Sequence, residues 1–276
     1  MRIEEVRDHC FGGHSLHDPF MGGWTPVISA MLDLPEDVTL SGISIAVVRE
    51  AMETHLSPGS ALQLAVTGMN TKRRTEFAAG RVCASEALRG MGLIAEFPLP
   101  VRNRLPVWPL GVVGSISHCN TIAVAMTAPK SRYCALGIDV ESLLDPDTAQ
   151  GIQQYVCRDE ELDRLERYIP CRSRSLTILF SAKEALYKAL FPLVGRFKDF
   201  HAAEFVGFEP CSVVLRLTHD WTSCWRAETK IKVRYAWLGQ EVISAVCLPR
   251  YLDLTKRETH EKFRQWYWRP HGFAAP

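Results

Sequence analysis

The pattern of the chain predicts an α+β protein, in which each half places helix ahead of antiparallel strands. Two observations carry this. Apolar residues recur at helical spacing near 71–90 and 176–190, and short alternating runs bounded by Gly, Pro and Asn follow each stretch. The 276 residues amount to about 1.8 domains at roughly 150 residues each. Roughly three quarters of the unfolded surface of such a chain can be buried, so no disulfide or metal is needed to hold a core.

Residues 1–30 are rich in Gly, Pro and aromatic side chains and read as irregular. The run 43–48 (ISIAVV) is apolar and β-branched and is expected to be a strand. From Thr71 the spacing turns helical. Thr75 is a candidate cap, Glu76 lies in the first turn, and Phe77, Ala84 and Leu88 recur at i, i+7 and i+11 until Gly90 and Gly92 stop the helix. Prolines 98, 100, 106 and 109 make the next stretch a loop. Residues 114–118 and 122–126 are two strands about a Cys119-Asn120 turn, a hairpin. After a break at 128–131 a strand resumes over 135–140. Residues 159–167 form an acid-started helix and 176–190 a longer one. Runs at 203–206, 212–217, 230–236 and 242–247 make a β-meander, and 255–268 a terminal helix. The seam near 128–134 divides the chain into 1–130 and 131–276.

Composition excludes several functions. Lys and Arg number 32 against 31 Asp and Glu, a net charge of +1, which argues against a general nucleic-acid or anionic-membrane binder. The charge is nevertheless uneven. Residues 1–53 hold nine acids and three bases, whereas 72–104 hold seven bases (Lys72, Arg73, Arg74, Arg81, Arg89, Arg102, Arg104) and three acids. The nine cysteines have no CxxC pair or regular spacing, which reads as reduced thiols in a cytoplasmic protein. No stretch has the pattern of a signal peptide or a membrane span. The tail alternates bases with aromatics (Lys262, Phe263, Arg264, Trp266, Trp268, Arg269), a composition that suits single-stranded nucleic acid or a membrane surface as well as an amphipathic tail packed on the domain. The neutral global charge favours the packed tail.

Three acids stand out. On a strand, Asp139 and Glu141 point to one face and Ile138 and Val140 to the other. A lone pair of this kind fits a strand running into a solvated acidic loop equally well. Glu184 lies on the strongest helical pattern, with Lys188 as its i,i+4 neighbour, and by itself fits a surface salt bridge. Together the three carboxylates suit Mg²⁺, which keeps waters and takes substrate phosphate oxygens as further ligands. Lysines on the same helix would then hold the phosphates.

Gly137-Ile138-Asp139-Val140-Glu141, followed by Phe180-Ser181-Ala182-Lys183-Glu184-Ala185-Leu186-Tyr187-Lys188, resembles the paired signature of the 4′-phosphopantetheinyl transferase superfamily. Upstream, Arg73-Arg74 and Gly80-Arg81, Pro106-Val107-Trp108-Pro109, and Gly114 to Cys119 with Ser117 and His118 resemble the Sfp-type branch, most closely its enterobactin-synthase subgroup. These motifs keep their order and spacing over roughly residues 70–190.

The resemblance implies two similar subdomains forming an intramolecular pseudo-dimer, with coenzyme A in the cleft between them. It implies Mg²⁺ held by Asp139, Glu141 and Glu184, and coenzyme phosphates contacted by Lys183 and Lys188. Ser117, His118, Arg73 and Arg81 would hold the coenzyme's phosphate and adenine end, joined by either Arg102 or Arg104. The implied reaction moves 4′-phosphopantetheine from coenzyme A onto a serine of an apo acyl, peptidyl or polyketide carrier protein and releases adenosine 3′,5′-bisphosphate. The nucleophile belongs to the partner, which agrees with the lack of a nucleophile elbow in this chain. Glu184 or Glu141 would accept the serine proton, Glu184 being preferred because a helix can present it beside the metal. A siderophore or secondary-metabolite pathway and a monomeric state complete the expectation. A binding module without catalysis is the rival from another class, opposed by the complete set of acids and lysines.

Overall fold

A computed structural model of the chain describes residues 25–250, apart from 58, 96, 103 and 104. The expected terminal helix at 255–268 and Arg104 lie outside the described residues. Helix α1 (Thr25–Met31) is followed by strand β1 (Thr39–Ser44), α2 (Ile45–His55), the short α3 (Ala61–Ala65) and the long α4 (Thr71–Gly90). A small ribbon, β2 (Val101–Arg102) and β3 (Leu105–Pro106), precedes the hairpin β4 (Val112–His118) and β5 (Ile122–Pro129). Strand β6 (Tyr133–Ser142) then leads to α5 (Pro146–Val156), α6 (Asp159–Glu166) and α7 (Arg172–Val194). A 3₁₀ turn (Phe200–Ala202) opens the meander β7 (Ala203–Glu209), β8 (Ser212–Leu217), β9 (Lys230–Leu238) and β10 (Glu241–Pro249).

The fold is α+β with two sheet-containing halves. One antiparallel sheet has the order β1-β5-β4 and the other β6-β10-β9-β8-β7. Each packs a long helix. Helix α4 buries Ala79, Cys83 and Ala87 with Ala123 and Ala125 of β5, while α7 buries Ile178, Ala185 and Ala189 with Val242 and Val246 of β10. A third core lies between the sheets, where Val124 and Met126 of β5 meet Ile138 and Val140 of β6 and Ile243 and Ala245 of β10. There the Ser115 and Ser117 hydroxyls of β4 accept from the Ile138 and Val140 amides of β6 (3.1 and 3.3 Å). Side-chain oxygens thus satisfy amides on an edge strand that has no ladder partner on that side. Among the described residues no helix is long and apolar enough to cross a membrane.

Local expectations needed correction at five points. The run 43–48 is not one strand: pairing of β1 with β5 ends at Ser44 opposite Ile122, where β5 begins. Beyond it the β-branched residues turn helical, with Ile45, Val48 and Ala51 buried at helical spacing. Helix α4 is capped by Asn70, whose Oδ1 accepts from Arg73 N at 2.8 Å, while the Thr75 hydroxyl donates back to Thr71 O. The proline loop contains the β2–β3 ribbon, and residues 25–31, read as irregular, are helical. Helix α5 was not anticipated, although Asp145 caps it by accepting from Asp147 N and Thr148 N and Pro146 opens it.

Two glycines set helix–sheet distances. A Cβ on Gly80 of α4 would lie 2.9 Å from Ile116 Cγ2 of β4. One on Gly137 of β6 would lie 1.9 Å from Ala185 O and 2.8 Å from Ala189 N of α7, which backbone cannot relieve. Gly137→Ala is therefore expected to destabilise the protein by at least about 2–3 kcal/mol, the upper end of overpacking losses. Gly151→Ala, in α5 with nothing within 4 Å of its Cβ, is expected to gain about 0.5–1 kcal/mol. Urea or thermal unfolding of both variants checks the contrast.

Candidate functional site

The site grows from the contact of β6 with α7 at Gly137. Alternation along β6 turns Gly137, Asp139 and Glu141 to the α7 face and Ile138 and Val140 to the core between the sheets. Asp139 is 1% exposed. Its Oδ1 accepts from Lys188 Nζ at 2.6 Å and from the Ser117 hydroxyl at 3.0 Å, and Lys188 Nζ also donates to Ser117 Oγ at 2.8 Å. Ser117 comes from β4, so both sheets contribute to this knot. The second Asp139 oxygen, Oδ2, is buried and has no partner.

Two further carboxylates act on this centre. Glu141 is pushed up to about 8, first by burial and then by the Asp139 and Glu184 carboxylates, with Lys188 opposing. Burial, followed by the Asp139 charge, likewise raises Glu184. Buried carboxylates that repel one another in this way form a cation-seeking cluster. Among the described residues no three carboxylate, His or Cys side chains are gathered at metal-ligand spacing. The orphaned Oδ2 and the mutual repulsion nevertheless fit a divalent cation with oxygen ligands.

The basic side comes from α4 and the end of β4. Arg73 Nη1 donates to His118 Nε2 at 3.1 Å and lies 3.8 Å from Glu76 Oε2. His118 is lowered, mainly by burial and also by Arg73 and Lys188, against the raising effect of Glu76 and Asp139. Arg81 lies two turns along α4 from Arg73, is 8% exposed, and stacks its guanidinium 4.6 Å from the Phe77 ring centroid. Burial, helped by the Arg73 charge, lowers it to about 10, and its Nε is buried without a partner.

Of the residues singled out from sequence, Asp139, Glu141, Glu184, Lys188, Ser117, His118 and Arg73 converge, with Arg81 adjoining through Arg73. Lys183 does not join them. Its ammonium is 2.5 Å from Glu161 Oε1 of α6 and donates to Val156 O at the end of α5 (2.8 Å), and the residue is 3% exposed. The expectation that it reaches a coenzyme phosphate is corrected here, because one helical residue step turns the side chain about 100° away from that of Glu184. Arg104 lies outside the described residues, and Arg102 is exposed on β2. Glu76, facing His118 and Arg73, was read only as a first-turn acid; its i,i+3 spacing from Arg73 was the available signal.

Two family models match the chain. One, the 4′-phosphopantetheinyl transferase N-terminal domain, covers residues 61–128, and the other, the 4′-phosphopantetheinyl transferase superfamily, covers residues 135–247. The chain belongs to the 4′-phosphopantetheinyl transferase superfamily. It is 31% identical over 175 residues to enterobactin synthase component D of Salmonella typhimurium, a match spanning 63% of this chain and 72% of that protein. To enterobactin synthase component D of Escherichia coli K12 it is 40% identical over 118 residues, 43% of this chain and 55% of the relative. The 4′-phosphopantetheinyl transferase Svp of Streptomyces mobaraensis is 39% identical over 135 residues, 48% of this chain and 54% of that protein. The transferase is thus an enzyme of the Sfp-type, enterobactin-like group; the first matched region holds the β4–β5 hairpin of one sheet, and the second takes in most of the other sheet.

Metal-free transferase should lose stability as pH rises. The folded protein keeps on Glu141 a proton that the unfolded chain releases above its ordinary value of 4.5, so stability declines between about pH 5 and 8. The slope is at most ~1.4 kcal/mol per pH unit. In thermal melts with chelator, native protein should show this decline and Glu141→Gln a flatter profile.

Proposed function

We propose that the chain transfers the 4′-phosphopantetheine group of coenzyme A to a serine hydroxyl of an apo carrier protein, releasing adenosine 3′,5′-bisphosphate, in a Mg²⁺-dependent reaction. The observation that carries this reading is the meeting of the buried Asp139 and Ser117 with the half-buried Lys188 at the junction of the two sheets, beside Glu141 and Glu184. Asp139, Glu141 and Glu184 would hold the metal, and Mg²⁺, when bound, supplies positive charge against the pyrophosphate and the phosphoryl group in transfer.

The chain's own residues do the remainder. Lys188 is placed to neutralise the leaving phosphate, with the Ser117 hydroxyl as its second anchor. Arg73 and His118, at the start of α4 and the end of β4, and the buried Arg81 would hold the other phosphates of coenzyme A. Arg81 favours such a role because its buried Nε lacks a partner and its nearest charged influence is another cation. The carrier serine oxygen attacks the phosphorus bearing pantetheine, the bond to the bridging oxygen breaks, and the proton passes to a carboxylate. Glu184 is the preferred acceptor, with Glu141 the alternative. The cleft then lies at the seam near 128–134, between subdomains 1–130 and 131–276. The relatives named for enterobactin synthase favour a carrier of siderophore assembly; a monomeric, cytoplasmic enzyme is the expectation carried over from the sequence.

Incubation with coenzyme A, Mg²⁺ and a panel of apo carrier proteins should add the mass of one phosphopantetheine to at least one of them. Asp139→Ala should remain folded and lose about 10²–10³-fold in rate, the size of a lost electrostatic contact to the reacting group. Near-native transfer by that variant would remove Asp139 from the site.

A further inference from the structure

Lys183 and Glu161 form a buried ion pair, 3% and 4% exposed, that the transfer chemistry above does not use. It joins three elements. Lys183 comes from the middle of α7, Glu161 from the first turn of α6, and the Lys183 ammonium also takes the free carbonyl of Val156 where α5 ends. A cation at one helix C-terminus and an anion at another's N-terminus both suit the helix dipoles. Glu161 is further tied to the sheet through the backbone of Phe205 on β7, whose carbonyl accepts from Arg164 at 2.8 Å.

Such a pair adds little net stability, because the cost of removing two charges from water offsets their attraction, and apolar replacements are often neutral. Its geometry points to another role. Asp139 and Glu141 leave the site on β6, and the chain returns to it on α7 only after passing through α5 and α6. The close contact at Gly137 sets how near α7 lies to β6, while the angle of α7 about its axis depends on the side chains buried around it, Lys183 among them. Lys183 precedes Glu184, about 100° around the helix. Tethering Lys183 to both connecting helices therefore sets the direction of Glu184.

We propose that Lys183 is a positioning residue that, through its buried pair with Glu161, holds the rotation of α7 at which Glu184 faces Asp139 and Glu141. The inference rests on the assignment of Glu184 to the site proposed above. Lys183 itself touches no substrate.

Acylation of lysines in the native protein, read by peptide mass spectrometry with and without coenzyme A, should leave Lys183 unlabelled in both conditions. Labelling that coenzyme A suppresses would overturn the proposal. Steady-state transfer by Glu161→Gln and Lys183→Met should show kcat lowered about tenfold or more, as for residues that orient ligands, with KM for coenzyme A within roughly twofold of native. The apolar pair Lys183→Met/Glu161→Leu should recover most of kcat. A folded Glu161→Gln with native kcat, or a KM for coenzyme A raised about tenfold in either Lys183 variant, would also overturn it. If a single variant fails to fold, the double variant decides: most of native kcat with an unchanged KM for coenzyme A is expected. A folded double variant with kcat still lowered about tenfold, or KM raised about tenfold, overturns the proposal. Native protein that transfers nothing to any carrier would remove the proposed function instead, while the labelling result still reports on Lys183.

Discussion

The missing side chain at Gly137 is the constraint on which the site depends. With Ala185 O only 1.9 Å from where a Cβ would stand, strand and helix backbones touch at this point. Beyond it two spacings come into step. Residues two apart on a strand are about 6.7 Å apart, and residues four apart on a helix rise about 6 Å. Asp139 and Glu141 on β6 can therefore be faced by Lys188 and Glu184 on α7, and Lys188 does reach Asp139 at 2.6 Å. A larger residue at 137 would move the helix outward and break that match, whatever acids remained.

The sheets meet in a way that serves the same end. Ser115 and Ser117 accept from β6 amides instead of extending the ladder, so β4 adjoins β6 without merging the two sheets. Ser117 also donates to Asp139, and the next residue, His118, accepts from Arg73 of α4. One strand end thereby ties the acids of the second half to the cations of the first. Burial at this junction accounts for the raised Glu141 and Glu184 and the lowered His118, since the charged form of each is the one disfavoured by loss of water.

What was legible in the sequence follows from the range of each signal. Alternation placed Asp139 and Glu141 on one face, and i,i+4 spacing paired Glu184 with Lys188, because both rules act within one element. The hairpin at 112–129 and the meander were readable from turn residues and β-branched runs for the same reason. Lys183 was misjudged because neighbours in a helical motif do not share a direction, and its partner Glu161 lies on another helix. The run 43–48 looked like strand since its composition is β-branched; only the end of β5 at Ile122 decides where pairing stops. Helix α5 was overlooked although its Asp145-Pro146 start was visible, because few apolar residues mark its buried side.

A net charge of +1 conceals two groups of like charge, each unfavourable alone. Burial and the Arg73 charge lower Arg81 on the side of α4, and burial and the Asp139 charge raise Glu141 and Glu184 on the side of α7. Lys188 offsets only part of the acidic group, leaving Asp139 Oδ2 without a partner. Lys188 and His118, the side chains between the two groups, are already engaged, Lys188 by donating to Asp139 and His118 by accepting from Arg73. Under the proposed function, a ligand carrying several anionic phosphates together with a divalent cation would relieve both at once. The tension between the clusters would then be the source of specificity, and the same charges in water would select nothing.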